Sequence, residues 1–494
     1  MMEFPIVSMN IVLPLISALF IMLFVSQSTS PHQTLFAKYV AVMSSVFSVI
    51  AAVALFLNFD ASLDHMQLVE RSVWHSSIGL EYHVGVDGIS LLLVCLTSLL
   101  IFIAIVISLF SIKVQVKEYL ACFLLLQSFL IGFFCSMNLL LFYFFFEAML
   151  IPMFLIIGIW GGENRIYAAF KFFIYTFFGS VILLASLVVI YNFTSTFDIQ
   201  ALAVRLGEVN ADVTKFLFIG TFIAFAIKVP VWPLHTWLPD AHVEAPTGGS
   251  IILAGVLLKV GCYAIVRISL PLFPEASKFF APMIIYLGVI AIIYCSLVAL
   301  AQKDMKSMIA YSSVAHMGFV IIGIFSFRKM GIEGAIFQMI SHGVISAGLF
   351  LSVGILYERH HTKEISEYGG VAQKMPLFAS FLMVYILGSI ALPGTSGFIG
   401  EFFSLAGLFG SSQISCLFAA SGIFLCAIYM LSLYKSLMFG EIKNKGVRSF
   451  IDLTGSEILV SLPLVFLVIY FGLFPNFILK LLNFPVSDIM LKLF

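Results

Sequence analysis

The sequence predicts an all-α polytopic membrane protein of about fourteen transmembrane helices, and three observations predict it. Of 494 residues, 62% are hydrophobic and only 10% charged, whereas a soluble globular chain carries about 25% charged and about 45–50% apolar residues. Mean hydropathy is +1.12. Apolar runs of about 20 residues, the length that crosses a bilayer, recur along the chain with short connections between them. A water-soluble surface cannot be built from this composition, and 15% aromatic residues exclude a disordered chain. Lys+Arg (25) balances Asp+Glu (25), so no charge excess points to nucleic acid. The seven cysteines form no Cys-x-x-Cys pair, which suggests neither a metal site nor a disulfide framework.

Taken in order, the spans fall at 5–26, 36–57 and 86–111, then at 119–136, 138–159, 172–193, 215–232 and 249–269. A further set follows at 281–301, 307–326, 334–356, 377–409 and 415–438, with a last span at 457–475. No Lys or Arg precedes Lys38, so the first run lacks the basic start of a secretory leader and reads as a retained span. Two spans carry helix breakers. The seventh ends in Lys228-Val-Pro230-Val-Trp-Pro233, and the twelfth contains Leu392-Pro393-Gly394. Proline removes a backbone donor and clashes with the preceding turn, and in lipid the freed carbonyls need other partners. Breaks at matching places in two halves point to an ion path. Each broken span is fourth in a set of five, and five is odd, so the two sets have opposite orientation. The chain therefore divides into N-terminal helices 1–3 (1–118), a first repeat of helices 4–8 (119–269), a second, inverted repeat of helices 9–13 (270–440), and a last helix with its tail (441–494).

Lys and Arg are enriched in cytoplasmic loops. With both termini outside, the inner loops hold fourteen of them, Lys306 included, and the outer segments nine, Arg267 included. Lys228 and Lys259 fall inside spans.

An ionisable side chain at membrane depth costs at least about 2.5–3.5 kcal/mol on insertion scales and is functional by default. Four stand out: Glu147, about 15 Å into its helix at 1.5 Å per residue, Lys228, Lys259 and Glu401. Ion pairs that merely hold helices together are the plainer alternative for any one of them, but they account poorly for all four. These residues are expected to handle an ion. His316 and His342 occupy successive spans beside Ser312, Ser313 and Ser341, where a hydrogen-bonded relay and simple packing both fit. No third ligand at a suitable spacing supports a metal.

The runs Phe145-Phe146-Glu147-Ala-Met-Leu-Ile-Pro152, Ala226-Ile-Lys228-Val-Pro230…Leu234-His235-Thr-Trp237-Leu-Pro239-Asp240-Ala-His242…Ala245-Pro246-Thr247 and Ala310-Tyr-Ser-Ser-Val-Ala-His316-Met-Gly318 resemble the proton-antiporter-like subunits of respiratory complex I, the NADH:quinone oxidoreductase. Val86-Asp87-Gly88-Ile-Ser90 fits that family too, and the likeness runs over essentially all fourteen spans. Glu401 in the twelfth span, and the absence of room for a lateral helix after Phe494, are most similar to its chain M, or subunit 4, type. Cation/proton antiporter complexes and membrane-bound hydrogenases contain similar subunits and are the rival assignments.

The resemblance implies a proton path: Glu147 pairing with Lys228 and tuning its hold on a proton, Lys259 as central carrier, His316 and His342 as links, and Glu401 at the outer exit. The chain has no GxGxxG loop, flavin or haem signature, or iron–sulfur cysteine set. NADH, FMN, iron–sulfur clusters and quinone are therefore expected on partner subunits, with neighbouring antiporter-like subunits of types 2 and 5 beside this one in the bilayer. The implied location is a bacterial inner membrane with both termini outside, a mitochondrial inner membrane being topologically equivalent.

Overall fold

The computed structural model describes residues 5–25, 31–75, 79–442 and 444–494. Twelve of its helices are long and apolar enough to cross a membrane, from Ile6–Phe24 to Gly455–Leu473. Two shorter apolar helices, Pro376–Ser389 and Ser396–Phe409, are the pieces of the span expected at 377–409. The seventh expected span is the helix Ala211–Lys228, which stops at the lysine and resumes as the short helix Trp237–Glu244.

Both breaks follow from proline geometry. The ring of Pro393 meets the carbonyl of the residue four positions earlier, and the helix ends there, at Ser389. Pro152 leaves a slighter mark in the fifth span, which runs as one helix over Leu139–Trp160, as the sequence predicts. Its regularity lapses at one residue, Met149, between Leu139–Ala148 and Leu150–Trp160, where the backbone stays right-handed helical, so Glu147 remains within the span.

The chain is not wholly α. Strands Gln67–His75 and Leu80–Val86 pair antiparallel, with register irregularities at Gln67/Glu70 and Val73/His75. The tail after the last span is a further helix, Asn476–Leu493. Several residues assigned to loops belong to helices, Lys306 and Arg267 among them. Lys306 opens the helix Met305–Ile324, and Arg267 lies within the Thr247–Leu272 span. Removing one residue from each side leaves the Lys/Arg bias between the two faces unchanged.

The chain forms two compact units. The first comprises Met1–Val229, Lys259–Phe280 and Leu481–Phe494; the second comprises Pro230–Leu258 and Ala281–Lys480. In the first, Asp87 caps the helix Gly88–Ser111 through a capping box with Ser90 and pairs with Arg267. Tyr263 Oη donates to the Phe134 carbonyl at 2.7 Å. In the second, the helix Lys329–His360 is the centre, its most apolar stretch wholly buried. It packs on Ser396–Phe409 through small residues, as helices in lipid do where backbones approach closely. A Cβ added to Gly400 would lie 2.7 Å from Gln338 Cα, and one on Gly334 would lie 2.5 Å from the Ser404 nitrogen.

Candidate functional site: two buried polar clusters

Three of the predicted residues, Glu147, Lys228 and Lys259, lie in the first unit. Lys228 is 2% exposed. Its Nζ lies 4.9 Å from the centre of the Phe146 ring and 5.9 Å from that of Phe172, with no hydrogen-bond partner among the described residues. Glu147 is the carboxylate in electrostatic range and also neighbours Ser180. No described ion pair within 4 Å joins the two charges, so the aromatic faces supply the direct contacts to the ammonium.

Lys259 is fully buried, with Cys262 nearby. Its helix comes backbone-close to the end of the Lys228 helix at Gly261, where a Cβ would fall 2.6 Å from the Phe225 carbonyl oxygen and 2.8 Å from the Val229 nitrogen. Two π-helical stretches, Leu253–Leu257 and Ile265–Ser269, flank Lys259. Such widened turns are frequent at functional sites. Neither hydropathy nor periodicity shows them, because they consist of ordinary apolar residues.

The other three residues come together in the second unit. His316 Nδ1 lies 2.7 Å from Glu401 Oε1, and Gln338 Nε2 donates to the same oxygen at 3.1 Å. The other ring nitrogen of His316 lies 3.1 Å from Ser389 Oγ, at the residue where the Pro393 break ends its helix. The rings of His316 and His342 are 5.6 Å apart, centre to centre. Both line a cavity of about 10 Å³ with Ser312, Ser313, Ser346 and Ser389, room for about one water. Pro393 and Gly394 thus shape the site from the break, and Gly394 takes a positive φ of 94° there. Pro230 stands two residues after Lys228, where that helix ends.

Among the described residues no group of three His, Cys, Asp or Glu side chains could hold a metal. A buried chain of lysines, carboxylates, histidines and hydroxyls can accept, hold and pass protons.

A family model described as "NADH:quinone oxidoreductase/Mrp antiporter, TM" matches residues 136–426, which include all six groups. The chain belongs to this family. It is 58% identical over 492 residues to the NADH-quinone oxidoreductase subunit M of Rickettsia felis, covering 100% of both chains. It is similar to a chain of respiratory complex I from Thermus thermophilus with bound NADH, at 30% identity and a TM-score of 0.89, covering 99% of this chain and 100% of that one. A chain of the Mrp complex from Dietzia shares the fold at 20% identity, with a TM-score of 0.86 over 98% of this chain and 97% of that one. The rival antiporter assignment therefore shares this family's architecture, and the higher identities fall on the oxidoreductase side.

The sequence reading missed two buried cations. Arg267 pairs with Asp87 across 180 residues. Lys306 is 5% exposed and donates to the Ala245 carbonyl. Both stand near span ends, where their partners are set by tertiary packing and are invisible in the local sequence.

Proposed function

We propose that this chain is a proton-translocating membrane subunit of an NADH:quinone oxidoreductase, moving protons along a central line of buried Lys, Glu and His groups. The observation that carries this reading is five ionisable side chains buried in apolar helices, Lys228, Lys259, His316, His342 and Glu401, with Glu147 half-buried in another, in a chain that matches this family along its whole length. An apolar surround disfavours a charged lysine, and a nearby carboxylate favours it. Glu147 therefore sets whether Lys228, held between Phe146 and Phe172, keeps its proton. Neutralising or moving that carboxylate releases the proton toward Lys259. His316 and His342 carry protons within the second unit, and Glu401, hydrogen-bonded to His316, is the terminal group.

Each proton moved against 100 mV costs about 2.3 kcal/mol, so the drive comes from elsewhere. This chain acts as a non-redox subunit, and NADH oxidation, FMN, iron–sulfur clusters and quinone reduction belong to partner subunits. Antiporter-like subunits of types 2 and 5 are its membrane neighbours. The chain sits in a bacterial inner membrane with both termini outside, a reading supported by the Lys/Arg bias and by the Rickettsia relative. The two proline breaks, Pro230 after Lys228 and Pro393 before Glu401, support an inverted repeat of helices 4–8 and 9–13.

The test is co-purification. A particle isolated in mild detergent through a tag on this chain is expected to show NADH:ferricyanide reductase activity. An intact multi-subunit particle without it, showing Na⁺-dependent transport, would instead favour the cation/proton antiporter.

A further inference from the structure

Pro246 creates a local shortage of hydrogen-bond donors. It follows the short helix Trp237–Glu244 and has no N–H, so the His242 carbonyl, four residues back, loses its intrahelical donor. The last carbonyls of the helix are orphans in any case, and away from water each needs a partner. Three side chains supply them. Ser250 Oγ donates to the His242 carbonyl at 3.2 Å, Lys363 Nζ to Val243 at 2.6 Å, and Lys306 Nζ to Ala245 at 2.7 Å.

The two lysines arrive from one braced platform. Met305 N–H donates to the Lys363 carbonyl at 3.0 Å, and Ile365 N–H donates to the Lys303 carbonyl at 2.9 Å. Asp304 and Glu244 are the carboxylates in electrostatic range of Lys306. A cation at the carbonyl end of a helix is also favoured by the helix dipole.

The clamped segment carries two histidines. His242 is fully buried and stacks on Phe350, centroids 4.3 Å apart and planes at 7°. His235 stands edge-on to Tyr294 and Tyr311, at 6.2 and 6.3 Å. Phe350 shares the helix of His342, and Tyr311 shares the helix of His316.

We propose that Lys306 and Lys363 are positioning residues for proton transfer: a two-lysine clamp on the carbonyl end of the helix after the break, keeping His235 and His242 in register with the helices that bear His316 and His342. This rests on the proton-transfer reading above. A clamp needs a donor that reaches the carbonyl, not one that gives up its proton, so arginine replaces lysine and methionine does not.

The experiment uses the assembled complex in inverted membrane vesicles, with Lys306→Met, Lys306→Arg, Lys363→Met and Lys228→Ala compared side by side. NADH:ferricyanide activity reports assembly, NADH-driven acidification reports pumping, and hydrogen–deuterium exchange over 237–250 reports the clamp. Lys306→Met is expected to lose pumping by about tenfold, within what slight misplacement of reacting groups can cause, and to exchange several-fold faster. Lys306→Arg is expected to keep most of its pumping and its slow exchange, while Lys363→Met shows a smaller loss of the same kind. If Lys306→Met does not assemble, the other two variants decide in the same way. Unchanged exchange in both methionine variants overturns the clamp. So does an assembled Lys306→Arg that is as inactive as Lys228→Ala, since that marks a proton carrier. Normal pumping by Lys228→Ala would overturn the proton-transfer reading instead, and the exchange data would still judge the clamp.

Discussion

The two units hold their buried charges in opposite ways. Lys228 faces two phenyl rings, with no hydrogen-bond partner among the described residues and its carboxylate beyond ion-pair distance. His316 is bonded on both nitrogens, to Glu401 and Ser389, and Glu401 takes a further bond from Gln338. An ammonium held by ring faces alone depends on a distant charge for its state, so small movements of Glu147 act on it strongly in a medium of low dielectric. A histidine in a closed hydrogen-bond network is buffered against such movements and is suited to passing a proton along bonds already made. On the proposed reading, the first arrangement would act as a switch and the second as a wire.

The largest expected effect follows from removing the central charge. Lys259→Ala in an assembled complex should lower NADH-driven pumping by at least about tenfold, given that positioned proton donors and acceptors contribute about 10²–10⁴-fold. The initial rate of acidification in inverted vesicles measures it. The comparison sharpens with Glu147→Gln against Glu401→Gln. Glu147→Gln should lose more, because nothing else described around Lys228 supplies a negative charge. Glu401→Gln removes the terminal proton-binding group but keeps a hydrogen-bond acceptor for His316, so it should lose pumping too, though less than Glu147→Gln. An equal loss in the two would dissolve the distinction between switch and wire.

Packing changes should come next. Gly261→Ala forces a Cβ to 2.6 Å from the Phe225 carbonyl oxygen beside the Lys228 helix end, and overpacking of this kind costs about 1–3 kcal/mol. Thermal unfolding of the purified complex should shift downward, with pumping falling further than the shift explains, because Lys228 and Lys259 are carried on the two helices forced apart.

The legible and illegible parts of this molecule divide along a physical line. Lys228, Lys259, Glu147 and Glu401 were readable because a charge inside an apolar run has no innocent explanation. The breaks at Pro230 and Pro393 were readable because proline acts locally. The one-residue irregularity at Met149 obeys the same rule through Pro152 but has no mark in hydropathy, since Pro152 sits deep in an unbroken apolar run. The hairpin escaped because its strands lie in the polar stretch between spans and their alternation is interrupted by register irregularities. Arg267 and Lys306 escaped because Asp87 and the Ala245 carbonyl reach them only through tertiary packing. The π-helical turns around Lys259 have no compositional mark at all.

The smallest predicted effect is on the hairpin. Hydrogen bonding from His83, helped by the Ala201 N–H and by Arg71, holds the Asp198 carboxyl below its ordinary value of 3.8. A folded pKa below the unfolded one gives stability that is present above the unfolded value and is lost as pH falls through the folded value. Asp198→Asn should therefore lower the unfolding temperature slightly near neutrality and converge on the native protein only as pH falls through the lowered Asp198 value, below 3.8. The Asp198 side chain is only partly buried, at 18% exposure, and solvent screening keeps the effect small. A difference that persists unchanged at low pH would show that the His83 contact does not depend on the charge.

On the proposed reading, this chain moves protons through its buried charges while partner subunits carry the electrons. The most direct measurement compares NADH:ferricyanide activity with NADH-driven proton pumping in membranes carrying Lys228→Ala. Proton carriage by Lys228 predicts intact ferricyanide reduction and pumping nearly abolished. Full pumping in an assembled Lys228→Ala complex would contradict it.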